Sequence, residues 1–391
     1  MISIIFFFIF LTILIIIILF LTLKYMNSDH VNYLNYNSTY ATKTGYLNPS
    51  DLGYSEMRLQ RQLKYKFFDK IKKFVNAPVD AKVIYNSGST ESIATCINWA
   101  KKYNKYGSIS GSSYDHPAIK ENAENQNMKY KLLDDPENTN ISAVFLTHVC
   151  SRTGEIIPEK YLNFSRSHQY LNKLNNEMEV NDKKDLLPYK PLIFLDATQS
   201  ITKIPIDMEK WKINGLFFSL HKIGGPMNMG ILIINEPKDM KFVPLIAGTQ
   251  NESMRGGTLN ERKLIKCSNL LKIDVDPITR KDSWEKSVDE FKKKGIKVYE
   301  PTGEHLYNTI LVQPEKNVCP MAVVNKLAEK NIQVGTVSAC ENEKNYLSND
   351  LVKPESGGSS EPPFIRISFI HPHDINKKIV DTISKTFRED F

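Results

Sequence analysis

Short runs of β-branched and aromatic residues alternate with longer polar, helix-forming stretches along most of this 391-residue chain. The alternation is typical of an α/β protein with a largely parallel sheet, because each parallel strand needs a long crossover to reach its neighbour. The predicted strands of this sheet are 82–85, 143–147, 192–195, 216–219 and 231–234. A helix is predicted over 92–101, and a polar stretch at 169–190 predicts a helix end and surface loop.

The sequence texture changes after residue 264, where Lys-rich helical patterns accompany separate apolar runs. Strands are predicted there at 309–313, 333–337 and 364–368, which indicates a second, smaller α+β domain. The predicted organisation has four parts, namely a membrane anchor (1–23), a linker and arm (24–50), a large domain (51–263) and a small domain (264–391).

The first 23 residues contain no charged side chain, and at 1.5 Å per residue a helix of this length crosses a bilayer core of about 30 Å. An uncleaved single-pass anchor is favoured over a secretory signal, because no basic start or small-residue cleavage site is evident. Lys24 and Lys43 follow the segment, so the positive-inside tendency places the body in the cytoplasm. Four Asn-x-Ser/Thr triplets argue for the opposite orientation, but glycans on those near the predicted site would obstruct it.

Charge and cysteine content exclude several classes of protein. Lys plus Arg exceed Asp plus Glu by 51 to 44, giving a net charge of +7 with no block of like charge, so nothing favours nucleic-acid binding. The five cysteines are odd in number and irregularly spaced, which predicts neither a disulfide framework nor a metal site. A reducing compartment is expected.

A lysine stands three residues after the predicted strand 216–219, in the run Ser219-Leu-His-Lys222 before a Gly-Gly-Pro turn. Open α/β sheets bind ligands at the carboxyl edge of their strands, where this lysine is expected. Burial there would lower its pKa and free its amine for Schiff-base chemistry. A surface lysine beside glycines is the alternative explanation.

Two further strand ends carry complementary chemistry. Asp196 ends the strand 192–195, and a carboxylate buried there needs a cationic partner such as a protonated pyridine nitrogen. The Gly/Ser-rich loop 86–92 opens the predicted helix, whose N–H groups attract phosphate. Each feature alone is explained as well by helix capping. Phosphate loop, aspartate and lysine on one sheet are together what a protein needs to bind pyridoxal 5′-phosphate (PLP).

Several ordered motifs resemble the class V aminotransferase family, most closely its NifS-like cysteine desulfurase branch. They are the runs Tyr33 to Thr39, Asn48 to Ser50, Ser87 to Ser92, Asp115 to His116, Phe194 to Ser200, Lys203 to Asp207, Ser219 to Lys222 and Arg255 to Asn260. The resemblance covers nearly all of the chain after residue 33. It implies a PLP-dependent transferase of fold type I, with a mainly parallel seven-stranded sheet in the large domain and a homodimeric assembly.

The resemblance also implies residue roles. Lys222 would bind the cofactor covalently, Asp196 would pair with the pyridine nitrogen, His116 would stack on the ring, and Gln199 would contact its phenolic oxygen. The phosphate would be held by Ser89 through its backbone and by Thr90, Ser219 and His221, with Thr258 reaching the phosphate of a neighbouring subunit. Arg366 resembles the arginine that clamps the substrate carboxylate, a task that suits its planar fork.

Cys340 is the residue that separates the possible activities. The run Val334-Gly-Thr-Val-Ser-Ala-Cys340 resembles the family's Ser-Thr-Gly-Ser-Ala-Cys segment, whose cysteine accepts sulfur as a persulfide. Where desulfurases have Val-Asn-Asn-Glu-x-Gly, this chain has Val149-Cys-Ser-Arg-Thr-Gly154, closer to the Thr-His-x-x-Ser-x-Thr-Gly pattern of alanine-glyoxylate-type relatives. Ser151 is therefore predicted to contact the ring oxygen.

The expected activity is conversion of L-cysteine to L-alanine, with the sulfur left on Cys340 for an acceptor protein in iron–sulfur or thio-modification chemistry. Two alternatives stay open. One is another PLP-dependent reaction, that of an aminotransferase or selenocysteine lyase, with Cys340 incidental. The other is a catalytically silent, membrane-anchored scaffold that keeps the fold to bind a partner.

Overall fold

A computed structural model describes residues 55–135, 140–162, 190–272, 277–313, 320–336 and 364–388, and within them seven strands form one mixed sheet. The strands are β1 (Lys82–Asn86), β2 (Ser108–Gly111), β3 (Tyr130–Leu132), β4 (Ile141–Thr147), β5 (Leu192–Asp196), β6 (Gly215–Ser219) and β7 (Gly230–Ile234). Their order is β1-β7-β6-β5-β4-β2-β3. The pairs from β6 through β3 are parallel, whereas β7 is antiparallel to β1 and β6. The expected mainly parallel sheet is confirmed.

Helices cover both faces of this sheet, which is why its central strands read as continuous apolar runs. Every residue of β4, β5 and β6 is buried. Alternate residues of β5 belong to two clusters, with Ile193 on one face and Phe194 on the other. The helices of this part are α1 (Ser55–Phe74), α2 (Ser89–Tyr103), α3 (Pro117–Asn125), α4 (Glu159–Leu162) and α5 (Glu261–Lys266). Phe67 and Ile71 of α1 pack on one face, whereas Ile97 and Trp99 of α2 pack on the other.

A second sheet of four antiparallel strands has its own core. Its strands are β8 (Lys297–Tyr299), β9 (Thr309–Gln313), β10 (Gly335–Thr336) and β11 (Ile365–Ser368), in the order β10-β11-β9-β8. The helices α6 (Pro277–Lys293), α7 (Pro320–Glu329) and α8 (Lys377–Thr386) contribute Phe291, Leu327 and Ile383 to that core. Because residues 59–391 cluster as one compact unit apart from residues 1–58, the domain division at 263/264 stays a prediction.

The predicted strands are found within two residues of their expected ends, but β2, β3 and β8 were missed. Strand β2 reads Ser-Ile-Ser-Gly, and β3 and β8 have three residues each, too short for a recognisable alternation. The segment 169–189, the anchor 1–23 and the linker 24–50 lie outside the described residues. Within the described ranges, no helix has both the length and the apolar character to cross a membrane.

His148, directly after β4, makes the stability of the core beside the large sheet depend on pH. Its side chain is buried edge-on against Trp211, with ring centroids 5.3 Å apart, and burial lowers its pKa to about 4. Between pH 6.5 and 4, His148 is therefore protonated in the unfolded chain but neutral in the folded chain, so the stability of the fold decreases as the pH decreases. We expect protonation of His148 to lower the free energy of unfolding by about 3 kcal/mol across this pH range. The urea midpoint of His148→Phe should depend less on pH than that of the parent.

The exposed His373 supplies the matched control, because His373→Phe should keep the parent's pH dependence. Tryptophan fluorescence in urea between pH 7 and 4.5 makes the comparison. Equal pH dependence of His148→Phe and the parent would contradict this assignment.

Candidate active site

Lys222 lies in the connection between β6 and β7. The connection begins with a 3-10 turn, Leu220–Ile223, held by the buried Leu220 and closed by Gly224 at φ 84°. The N–H of Gly225 donates to the Leu220 carbonyl at 2.9 Å. The turn keeps Lys222 next to the carboxyl end of β6, as predicted, but the side chain is exposed. The expectation that Lys222 is buried is therefore wrong, because this residue belongs to the turn after β6 and not to the buried strand itself.

Asp196 is the last residue of β5, and its side chain is buried with the residue 6% exposed. Its Oδ1 accepts the N–H of Thr198 at 2.9 Å. Burial raises the pKa of Asp196, while the Thr198 hydrogen bonds and the charges of His116 and Lys222 oppose that shift. The imidazole and the amine are therefore near enough to act on the carboxylate electrostatically, and these three predicted site residues follow or end parallel strands at the same edge of the sheet.

The loop between β1 and α2 forms a cradle at the neighbouring strand ends. Gly88 caps α2 with φ 148°, a conformation that L side chains rarely adopt, and lies against Gly230 of β7. The Ser89 N–H donates to Ser219 Oγ at 2.8 Å, and Ser89 Oγ lies 2.8 Å from both Ser219 Oγ and Thr198 Oγ1. By helix geometry the N–H groups of the first turn of α2 have no acceptor within the helix, which suits an anion.

This donor set fits a phosphorylated pyridine. Hydroxyl groups and a helix N-terminus meet the phosphate, and the buried Asp196 carboxylate offers a partner to a protonated ring nitrogen. One detail differs from the prediction, since the Ser89 N–H is already bonded to Ser219 Oγ. The Ser89 and Ser219 side chains, rather than the Ser89 backbone, are the groups placed for an anion.

Arg366 connects the second sheet to the first. It lies on β11, and its Nη1 donates to the Ser151 carbonyl at 3.0 Å. Burial lowers the pKa of Arg366, and the neighbouring Cys150 thiol acts in the opposite direction. The predicted substrate clamp and the predicted ring-oxygen contact are thus adjacent, with Cys150 beside them.

The other predicted residues differ in burial and in local contacts. His116 caps α3, with its Nδ1 accepting the Ala118 N–H at 3.2 Å, and Gln199 is half-buried. Thr90, His221 and Thr258 are exposed. Cys340 lies outside the described residues. All the roles assigned to single residues stay predictions.

The sequence analysis missed an ion pair that supports the cradle. Arg255 donates from Nε to Glu91 Oε1 at 2.8 Å and from Nη2 to Glu91 Oε2 at 3.1 Å. Burial acts to raise the pKa of Glu91, but hydrogen bonds from Arg255 and Ser87 outweigh it and lower the pKa. Both residues stood in recognised motifs, but no sequence signal joined positions 164 apart.

Glu91→Gln should destabilise the cradle, because it leaves the Arg255 guanidinium, with 17% of its side chain exposed, without a counter-charge. We expect a loss of about 2 kcal/mol in unfolding free energy, measured in urea at neutral pH. The exposed pair Lys281 and Glu285 provides the control, and Glu285→Gln should stay within about 0.5 kcal/mol of the parent. Equal unfolding free energies for Glu91→Gln and Glu285→Gln would show that the Glu91–Arg255 pair does not stabilise the fold.

Comparison with known proteins identifies the class of this site. The sequence model of the class-V aminotransferase family matches residues 55–376, so the chain belongs to that family. The family's cofactor is PLP, and the fold is the PLP-dependent fold type I.

Individual relatives are cysteine desulfurases and NifS-like proteins. Cysteine desulfurase IscS of Buchnera aphidicola subsp. Baizongia pistaciae is 26% identical over 299 residues, 71% of this chain and 70% of that protein. The IscS of Buchnera aphidicola subsp. Acyrthosiphon pisum (strain 5A) is 27% identical, but the match spans only 45% of its length. Among solved structures, a NifS-like protein has a TM-score of 0.66 at 22% identity, covering 87% of this chain and 90% of its own. The NifS-like protein from Rickettsia africae has a TM-score of 0.65 at 19% identity, covering 88% and 91%.

Proposed function

We propose that this protein is a PLP-dependent cysteine desulfurase. The reaction is L-cysteine plus the Cys340 thiol giving L-alanine plus a Cys340 persulfide. The substrate C–S bond is replaced by a C–H bond, so that carbon gains two electrons, and these are the two electrons that the two sulfur atoms lose when the S–S bond forms. No external oxidant is needed, and a reductant is needed only when the persulfide sulfur is released as sulfide.

The observation that carries this proposal is the buried Asp196 carboxylate at the end of β5, with the Ser89–Ser219 hydroxyl pair and the turn that carries Lys222 at neighbouring strand ends. The names of the relatives, cysteine desulfurases among them, support the substrate. The role of Cys340 rests on the resemblance of its Ser-Ala-Cys run, since this residue lies outside the described ranges.

Each residue has a distinct task in the proposed reaction. When bound, the cofactor withdraws electrons from the substrate Cα. Asp196 keeps the ring nitrogen protonated, which strengthens that withdrawal, and the Lys222 amine holds the cofactor and moves the Cα proton. Arg366 binds the substrate carboxylate with its planar fork. The first-turn N–H groups of α2 and the hydroxyls of Ser89 and Ser219 bind the phosphate.

The test uses the full-length chain purified with PLP in detergent. Its absorption spectrum is recorded before and after addition of L-cysteine, and sulfide and alanine are assayed with a thiol reductant present. The proposal expects a band at the visible–ultraviolet border and equimolar sulfide and alanine. A yellow protein that releases neither product from L-cysteine would refute it.

A second candidate keeps the cofactor and changes the reaction. The run Val149 to Gly154 departs from the desulfurase pattern, and its Ser151 lies against Arg366 at the predicted substrate clamp. An aminotransferase or selenocysteine lyase would fit that departure. Alanine formation from L-selenocysteine but not from L-cysteine, or amino transfer to a 2-oxo acid, would favour this candidate. A chain that cannot be loaded with PLP would favour the silent scaffold.

We also propose that the chain is a homodimer held at a membrane by residues 1–23, with its body in the cytoplasm. The exposed Thr258 is available to a neighbouring subunit. Sedimentation at a monomer's mass would refute the dimer. Recovery of the intact chain in the soluble fraction without detergent would refute the anchor.

A further inference from the structure

Asp115, the residue before His116, has four hydrogen-bond donors around its carboxylate. Oδ1 accepts from Thr147 Oγ1 at 2.7 Å and from Ser112 Oγ at 3.1 Å. Oδ2 accepts from Tyr130 Oη and from the Ser112 N–H, each at 3.1 Å. These donors come from β3, from β4 and from the turn that carries Asp115 itself, so one carboxylate joins three parts of the fold.

The neighbouring backbone packs closely against this carboxylate. The Asp115 N–H donates back to the Ser112 carbonyl at 3.1 Å, which closes the turn reciprocally. A Cβ at Gly111 would lie 1.9 Å from Asp115 Oδ2 and 2.7 Å from Tyr130 Oη, so the end of β2 must be glycine. Burial raises the pKa of Asp115 to about 7, and the hydrogen bonds from Thr147 and Ser112 oppose that shift. The charged carboxylate therefore depends on these hydroxyl donors.

The network ends at the two groups that would enclose the cofactor ring. Thr147 is the last residue of β4 and lies directly opposite Asp196 in the parallel pairing with β5. On the other side, Asp115 is bonded through the main chain to His116. The imidazole of His116 accepts the Ala118 N–H at Nδ1, which leaves Nε2 to carry the proton of the neutral ring.

We propose that Asp115 is a positioning residue that, through Thr147, fixes the His116 imidazole relative to the Asp196 carboxylate. This inference deepens the proposed function and rests on it, because in that proposal the cofactor ring would bind between these two groups. Asp115 itself does not touch cofactor or substrate.

The test removes the Thr147 hydroxyl and measures the ¹⁵N signals of the His116 imidazole. Thr147→Val keeps the side-chain shape and removes the donor, whereas Thr147→Ser keeps the donor. The full-length chain, free of cofactor, is labelled with ¹⁵N-histidine, and His116→Gln assigns one signal among the eight histidines. At about pH 8 the parent should show an unprotonated Nδ1 at His116, because this atom accepts the Ala118 N–H. The Thr147→Val signals should average between tautomers, and the Thr147→Ser signals should match the parent.

Affinity for PLP provides the second readout, measured by titration of the same proteins. Thr147→Val should raise the dissociation constant about 10-fold or more, on the scale of a lost hydrogen bond to a charged group, and Thr147→Ser should not. Tyr130→Phe should act in the same direction. Its matched control is Tyr103→Phe, which removes an exposed hydroxyl bonded to the Lys241 carbonyl.

The outcomes separate the two proposals. Parent-like His116 signals in both Thr147→Val and Tyr130→Phe would overturn the positioning role, whatever the parent binds. A parent that fails to bind PLP would refute the proposed function, and the His116 signals of the cofactor-free chain would then decide the positioning role alone.

Discussion

Lys222→Ala should abolish covalent attachment of PLP and, with it, the absorption band at the visible–ultraviolet border. The amine lies beside the carboxyl end of β6 and contributes to the charge around Asp196, and in the proposed reaction it both holds the cofactor and accepts the Cα proton. We expect turnover to fall by about a thousandfold or more, the scale seen when a covalent catalytic group is removed. Spectra and alanine assays of the parent and variant measure both effects.

Two controls separate covalent chemistry from charge. Lys222→Arg keeps a cation near Asp196 but cannot form the covalent link, so it should be as inactive as Lys222→Ala. Lys238→Ala removes an exposed lysine after β7 and should behave like the parent. Parent-like turnover in Lys222→Arg would show that Lys222 acts only through its charge.

Cys340→Ala should stop formation of both sulfide and alanine while leaving the absorption band unchanged. The thiol is the sulfur acceptor in the proposed reaction, and no hydroxyl or methyl group can replace it, so Cys340→Ser should fail equally. A loss of about a hundredfold or more is expected in alanine assays. The matched control is Cys267→Ala, because that buried thiol donates only to the Lys263 carbonyl behind α5. Desulfurisation at the parent rate by Cys340→Ala would remove this cysteine from the mechanism.

The sequence predicted the strand ends that carry the site because those strands are buried on both faces. Strands β4, β5 and β6 are largely apolar, Asp196 is the last residue of β5, and Lys222 lies three residues after the end of β6. The antiparallel direction of β7 also has a simple cause. Only ten residues separate β6 from β7, fewer than a parallel crossover needs. That connection is the one that holds Lys222.

What the sequence could not supply are contacts between distant positions. The Glu91–Arg255 pair, the hydroxyl cluster of Ser89, Thr198 and Ser219, and the Asp115–Thr147 bond depend on how loops from separate strands meet. The exposure of Lys222 was missed for a related reason. The sequence predicts burial for a residue that follows a buried strand, whereas its exposure depends on the conformation of the turn. Strand β2 escaped notice because its buried serines read as loop residues.

The most direct test of the proposed reaction is the mass of the Cys340 peptide after the PLP-loaded, full-length chain is incubated with L-cysteine in the absence of reductant. Alkylation and proteolysis precede mass spectrometry, and free alanine is quantified in the same sample. The proposed reaction requires one additional sulfur atom on Cys340 and an equal amount of alanine in the first turnover. Alanine formed without sulfur on Cys340, or sulfur found on Cys150 or Cys267 instead, would contradict it.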